Sequence, residues 1–162
     1  MANIAFNIGA GREVELYNRV KSNDPANSAF VVVLLKAVIT GDDNTLKDFA
    51  TLSALLGDAA VTECDFTNYS RLTFTDTELA ALPAPDNTNN QRQFTLPNAV
   101  FTNAGGATNN TITSVVICYD PDTTAGTDAN IEPLFCLDYA ETTSGSTLDI
   151  SFPTNFYSAT QS

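Results

Sequence analysis

The chain has 162 residues with 19 acids, seven Lys or Arg and no His, a formal net charge of −12. That length favours one domain able to bury a core without disulfide or metal staples, and the 43% apolar content excludes a disordered chain. The acidity disfavours nucleic-acid backbones and anionic membrane surfaces as partners, and the absence of His removes the commonest general base and most transition-metal sites.

The first eleven residues read as a light N-terminal arm, followed by a single β-rich domain over residues 12–162. Met1 to Ile8 shows no basic region followed by an apolar core, so no secretory signal is read there. Residues 13–20 fit two patterns. Val14, Leu16 and Val20 share a face at period two, whereas Val14, Tyr17 and Val20 align on a helix. We read a strand, turned at Pro25 into a hairpin with residues 30–39, where Val31, Val32, Val33, Val38 and Ile39 are β-branched.

Residues 45–56 predict one short amphipathic helix. Leu46, Phe49, Leu52, Leu55 and Leu56 recur at three- and four-residue steps. Thr45 and Asp48 form a capping-box pattern, and Gly57 stands at the expected C-terminal stop. Thr75 and Glu78 form a second capping box before a helical turn ended by Pro83. Residues 84–91 form a polar surface loop, and residues 93–96 and 100–102 are short strands.

The run Ser-Val-Val-Ile-Cys-Tyr at residues 114–119, with turn formers on both sides, predicts a central strand buried on both faces. Residues 131–140 form the next strand beside it. Leu148, Ile150 and Phe152 alternate with polar residues as in a half-buried strand, and Phe156 and Tyr157 dock near the end. About eight strands and one firm helix define the expected fold as mainly β, an antiparallel β-sandwich or jelly-roll-like arrangement.

Cys64, Cys118 and Cys136 have no metal-ligand spacing. They read as buried free thiols of a reducing compartment, with a Cys118–Cys136 cross-strand bridge as the alternative. No carboxylate pair stands out for glycosidase-type chemistry, and no cofactor is expected. The loop at residues 120–128 supplies Asp120, Asp122 and Asp128 as a candidate calcium loop, with Thr124 between them. It departs from the helical calcium loop, since Gly126 comes one place late and the twelfth position is Ile131 rather than Glu. The ordinary reading is a connecting loop with turns set by Pro121 and Gly126.

Several segments taken together resemble a known group. They are Ala5-Phe-Asn, Gly11-Arg, the run from Asn27 to Lys36, Phe66-Thr-Asn-Tyr-Ser-Arg, the Asn103-Ala-Gly-Gly-Ala-Thr-Asn-Asn loop, and the stretch from Val116 to Asn130. This pattern, from residue 5 to about residue 140, resembles small virion proteins of tailed bacteriophages, of the head-decoration (cement) type. The resemblance implies a β-rich homotrimer on the outer capsid surface, made in the bacterial host cytoplasm. Its partner would be the major capsid protein, whose subunit contacts it would stabilise. It brings no catalytic residues.

The cations all lie at or before Arg92, whereas seven acids follow it. On the decoration reading, Arg12, Arg19, Lys21, Lys36 and Lys47 are candidate capsid contacts, and the N-terminal third is the capsid-facing side. The plainer alternative is that all five are ordinary surface charges. Two competing functions are a phage fibre or receptor-binding module recognising a bacterial surface, and an unrelated carbohydrate-binding sandwich or enzyme. The absence of Trp and the scatter of the five Tyr weigh against glycan binding.

Overall fold

The computed structural model describes residues 3–153 and 156–160. In chain order its elements are β1 (Ile4–Ala5), α1 (Glu13–Lys21), β2 (Ala29–Ala37), α2 (Asp43–Lys47), α3 (Leu52–Gly57), β3 (Thr62–Glu63) and β4 (Leu72–Phe74). Then come β5 (Gln91–Phe94), β6 (Ala99–Phe101), β7 (Thr111–Asp120), β8 (Glu132–Thr142), β9 (Leu148–Ile150) and β10 (Tyr157–Thr160). The main sheet runs β1-β8-β7-β2-β3, with β4 also pairing β2. All its pairings are antiparallel, as are those of two small sheets, β10-β5 and β6-β9. The chain is therefore mainly β and sandwich-like.

The apolar runs of β2 and β7 are continuous because both faces of the main sheet are covered. Phe30, Val32 and Leu34 point to one face with Val115, Ile117 and Tyr119. Val31, Val33 and Leu35 point to the other with Val116 and Cys118. The first face is covered by Leu16, Tyr17 and Val20 of α1, Phe94 of β5, Phe101 of β6, and Leu148 and Ile150 of β9. Leu46 of α2, Leu52 and Leu55 of α3, Val61, Ile131 and Phe6 cover the second.

Residues 13–21 form a helix, not a strand. Glu13 and Glu15 stand in its first turn and Arg19 and Lys21 in its last, each sign complementing the helix dipole. The Arg19–Glu15 ion pair at 2.7 Å has helical spacing. Leu16, Tyr17 and Val20 form the buried stripe, and Tyr17 stacks on Phe94 with ring centroids 4.6 Å apart. The expected hairpin with residues 30–39 is accordingly absent, and β2 pairs instead with β3, β4 and β7.

The single helix expected over residues 45–56 is two helices. Asp42 caps α2 by accepting the Thr45 amide at 3.1 Å, and Thr51 Oγ1 accepts the Ala54 amide at 3.1 Å to start α3. The Leu52 and Ser53 amides donate to the Ile131 and Asp128 carbonyls, at 2.8 and 3.0 Å. The second helix is thus aimed by a distant loop, which local periodicity does not record. Gly57 is the last residue of α3 rather than a left-handed stop; the Asp58 cap is extended. Of the Thr75–Glu78 box the carboxylate half forms, with the Thr75 amide donating to Glu78 Oε2 at 2.8 Å, while Thr75 Oγ1 accepts the Thr77 amide at 3.3 Å. The hydrogen bonds from Thr75 hold the Glu78 carboxyl down at about 2.

Residues 3–11 do not stand apart as a light arm. Ile4 and Ala5 pair with Cys136 and Phe135 of β8, and the Phe6 amide donates to the Leu134 carbonyl at 2.9 Å. Phe6 is fully buried. At the other end, Tyr157 stacks on Phe94 at 5.1 Å and Phe156 meets Phe135 edge-on at 5.1 Å. Cys64, Cys118 and Cys136 are buried and free. Cys118 pairs with Pro133, and Cys136 with Val116, so the two cysteines are not cross-strand partners.

Candidate functional site

Residues 66–71 join the other segments that carried the resemblance. The Thr67 amide donates to the Thr108 carbonyl at 3.0 Å, and the Gly105 amide donates back to the Thr67 carbonyl at 2.9 Å. The Thr108 amide also donates to Thr67 Oγ1 at 2.9 Å, and Asn68 Nδ2 donates to the Asn103 carbonyl at 2.9 Å. Asn68 and Asn103 have φ of 69° and 52°, the left-handed region that asparagine tolerates better than most side chains. The Ala104 amide donates to the Ser146 carbonyl at 2.9 Å, which adds the turn after β8.

Gly105 sits where no side chain fits. Its φ is +96°, Asn109 Oδ1 occupies the place of a β-carbon, and Thr143 Oγ1 would lie 2.9 Å from it. Gly105→Ala should destabilise the fold by about 1–2 kcal/mol through backbone strain and displacement of Asn109. Urea unfolding should show a lower midpoint, whereas Gly106→Ala, at φ +116° in open space, carries only the backbone part.

On the other side of the same segment, Arg71 lies between two carboxylates. Its Nε and Nη2 donate to Glu63 Oε1 and Oε2 at 2.8 and 2.7 Å. Its Nη1 and Nη2 donate to Asp128 Oδ1 and Oδ2 at 2.6 and 3.0 Å. Tyr69 donates its hydroxyl hydrogen to Glu63 Oε1 at 2.8 Å and accepts the Leu34 amide at 3.0 Å. The paired carboxylates raise the Arg71 pKa, and hydrogen bonding from Arg71 holds Asp128 below the ordinary 3.8. Burial, with Glu63 beside it, pushes the Tyr69 hydroxyl up. Both donor edges of the guanidinium are engaged, so the group clamps β3 and the loop after β7 to this segment. Arg71 was not among the candidate site residues read from the sequence. The one available signal was that it ends a resembling segment.

The candidate calcium ligands do not converge. Asp120 Oδ1 accepts the Asp122 amide at 3.0 Å, Asp122 Oδ1 accepts Thr124 Oγ1 at 2.6 Å, and Asp128 faces Arg71. Among the described residues no three His, Cys, Asp or Glu side chains are grouped to hold a metal ion.

The five candidate capsid contacts are divided between the two faces of the sheet. Arg12 pairs with Glu132 at 2.8 Å, Arg19 with Glu15, and Lys21 Nζ donates to the Asp76 and Leu79 carbonyls at 2.7 and 2.9 Å. These three belong to α1 and its N-cap, over the first face. Lys36 pairs with Asp65 at 2.6 Å at the end of β2. Lys47 is half-buried on α2, over the opposite face. A single flat contact surface does not hold all five.

A hollow of about 360 Å³ lies between the turn at residues 85–91 and β10, lined by Asn87, Asn90, Arg92 and Thr160 among others. The Asp86 carboxylate beside it is taken up by its own turn, accepting the Thr88 amide at 2.9 Å and Asn89 Nδ2 at 2.7 Å. Among the described residues no helix is long and apolar enough to cross a membrane.

Searches against protein-family models, curated proteins and solved structures find no match to this chain.

Proposed function

We propose that this protein is a structural, non-enzymatic virion component of a tailed bacteriophage. In this reading it is a capsid decoration protein that binds the outer surface of the head as a trimer and stabilises contacts between major capsid subunits. The observation that carries the reading is the coincidence of resemblance and architecture. The segments that resemble decoration proteins at residues 66–71, 103–110 and 116–130 are the ones joined by the Thr67–Thr108 bonds and the Arg71 clamp. Their polar groups are spent on one another, which suits a rigid surface rather than a catalytic centre. The two-sided core supports the same role, since a protein exposed on a pressurised shell gains from stiffness.

Copy number tests the proposal. Quantitative mass spectrometry of purified particles of the encoding phage should find hundreds of copies, in simple ratio to the major capsid protein. A handful of copies would move the protein to the tail and make a receptor-binding role the better reading. Complete absence from the particle would overturn both.

A further inference from the structure

The main sheet is closed unevenly along β8. β1 covers the outer edge of β8 only at Phe135 and Cys136, and Asn3 Oδ1 accepts the Asp138 amide at 2.9 Å just beyond. From residue 139 to residue 142 no described strand runs along that edge. β9 is also bordered on one side only, by β6. On the first face, Leu137 and Tyr139 of β8 are therefore half-buried, as are Phe135, Phe152 and Phe156 beside them. Phe156 lies edge-on to both Phe135 and Phe152, at 5.1 and 5.4 Å. An aromatic and aliphatic row thus continues into a backbone edge that no described strand borders, the two features that strand addition uses.

The charge around this edge selects the occupant. Glu141 and Asp149 are exposed, and Glu141 holds the Tyr139 hydroxyl at 2.6 Å. No Lys or Arg occurs anywhere after Arg92. A second copy meeting this edge would set acids against acids with no cation from either β8 or β9. We propose that residues 139–142 of β8 receive an extended segment of a partner protein, in which apolar residues alternate with Lys or Arg. Its backbone would extend the sheet, its apolar side chains would cover Leu137 and Tyr139, and its cations would meet Glu141 and Asp149. The inference does not depend on the virion reading.

The probe is a short synthetic peptide of alternating valine and lysine, with alternating valine and glutamate as its control. Titration followed by amide chemical shifts should show the lysine peptide bound, with shifts centred on residues 139–142, and the glutamate peptide bound at least about tenfold more weakly. Glu141→Lys should weaken the lysine peptide about tenfold, and Ala140→Pro should abolish strand addition by removing an edge donor. Ala140 is exposed and has no register partner on β7, and circular dichroism checks that each variant folds. If Ala140→Pro does not fold, Glu141→Lys decides. Equal binding of the two peptides, shifts centred elsewhere, no binding up to about 1 mM, or self-association through this edge would each overturn the proposal.

Discussion

Phe6→Ala should lower the stability of the protein by about 3–5 kcal/mol, the usual range for emptying a fully buried phenylalanine site. Phe6 has no exposed surface and packs in the cluster formed by Val31, Val33, Leu35 and the α2–α3 leucines. Its amide also anchors the N-terminal segment to the Leu134 carbonyl. In a chain of this length such a loss should lower the thermal midpoint by about 10 °C or more. A dispensable arm would instead show a change within about 0.5 kcal/mol, as for surface substitutions. Urea unfolding of Phe6→Ala beside Phe6→Leu separates the two, since leucine refills most of the cavity and should recover most of the stability.

Arg71→Ala should cost about 2–3 kcal/mol, below the 3–5 kcal/mol typical of a fully buried pair because solvent still reaches these groups. The side chains of Arg71, Glu63 and Asp128 are 26%, 22% and 36% exposed. Removing the guanidinium leaves two carboxylates facing each other without a cation. The loss should carry a pH signature. Asp128 has a folded pKa below its ordinary 3.8, so its contribution is present above that value and is lost as pH falls through the folded value. The stability gap between wild type and Arg71→Ala should therefore be full at neutral pH and narrow as the pH falls below the ordinary 3.8 and through the lowered folded value. A gap that stayed constant down to the acid transition would show that Arg71 acts through packing of its aliphatic stem alone. Replacing all three groups, as Arg71→Met with Glu63→Gln and Asp128→Asn, should recover part of the loss, because no unpaired charge is then left behind.

The parts of the fold that were legible were those written in unbroken local patterns. Residues 114–119 announced a strand buried on both faces, and β7 lies at the middle of the main sheet with Val116 and Ile117 fully buried on opposite sides. Burial of the three cysteines followed from their odd number and from spacings that suit neither a disulfide scaffold nor a metal site. At residues 13–20 period two and period 3.6 fit almost equally well. The choice fell to the first face of the sheet, which needed Leu16, Tyr17 and Val20 as a cover. The Glu15–Arg19 spacing was the available signal for a helix. The break at Thr51 had only the threonine itself as an N-cap residue type, because the carbonyls that take the first α3 amides come from residues 128 and 131.

The candidate site divides in the same way. The acids of residues 120–128 were visible as a liganding pattern, yet the structure turns Asp128 to Arg71 and closes Asp120 and Asp122 on their own turns. A cation list in sequence order could not show that Arg19 and Lys47 lie over opposite faces of one sheet. The amino-acid sequence by itself determined the class of fold, the acidity of the surface and the central strands, because burial on two faces demands continuous apolar runs wherever it occurs. Only the tertiary structure decided which segments meet. Hydrogen-bond and ion-pair partners such as Arg71 and Asp128 are 57 residues apart, and a pairing across that distance leaves no trace in local periodicity.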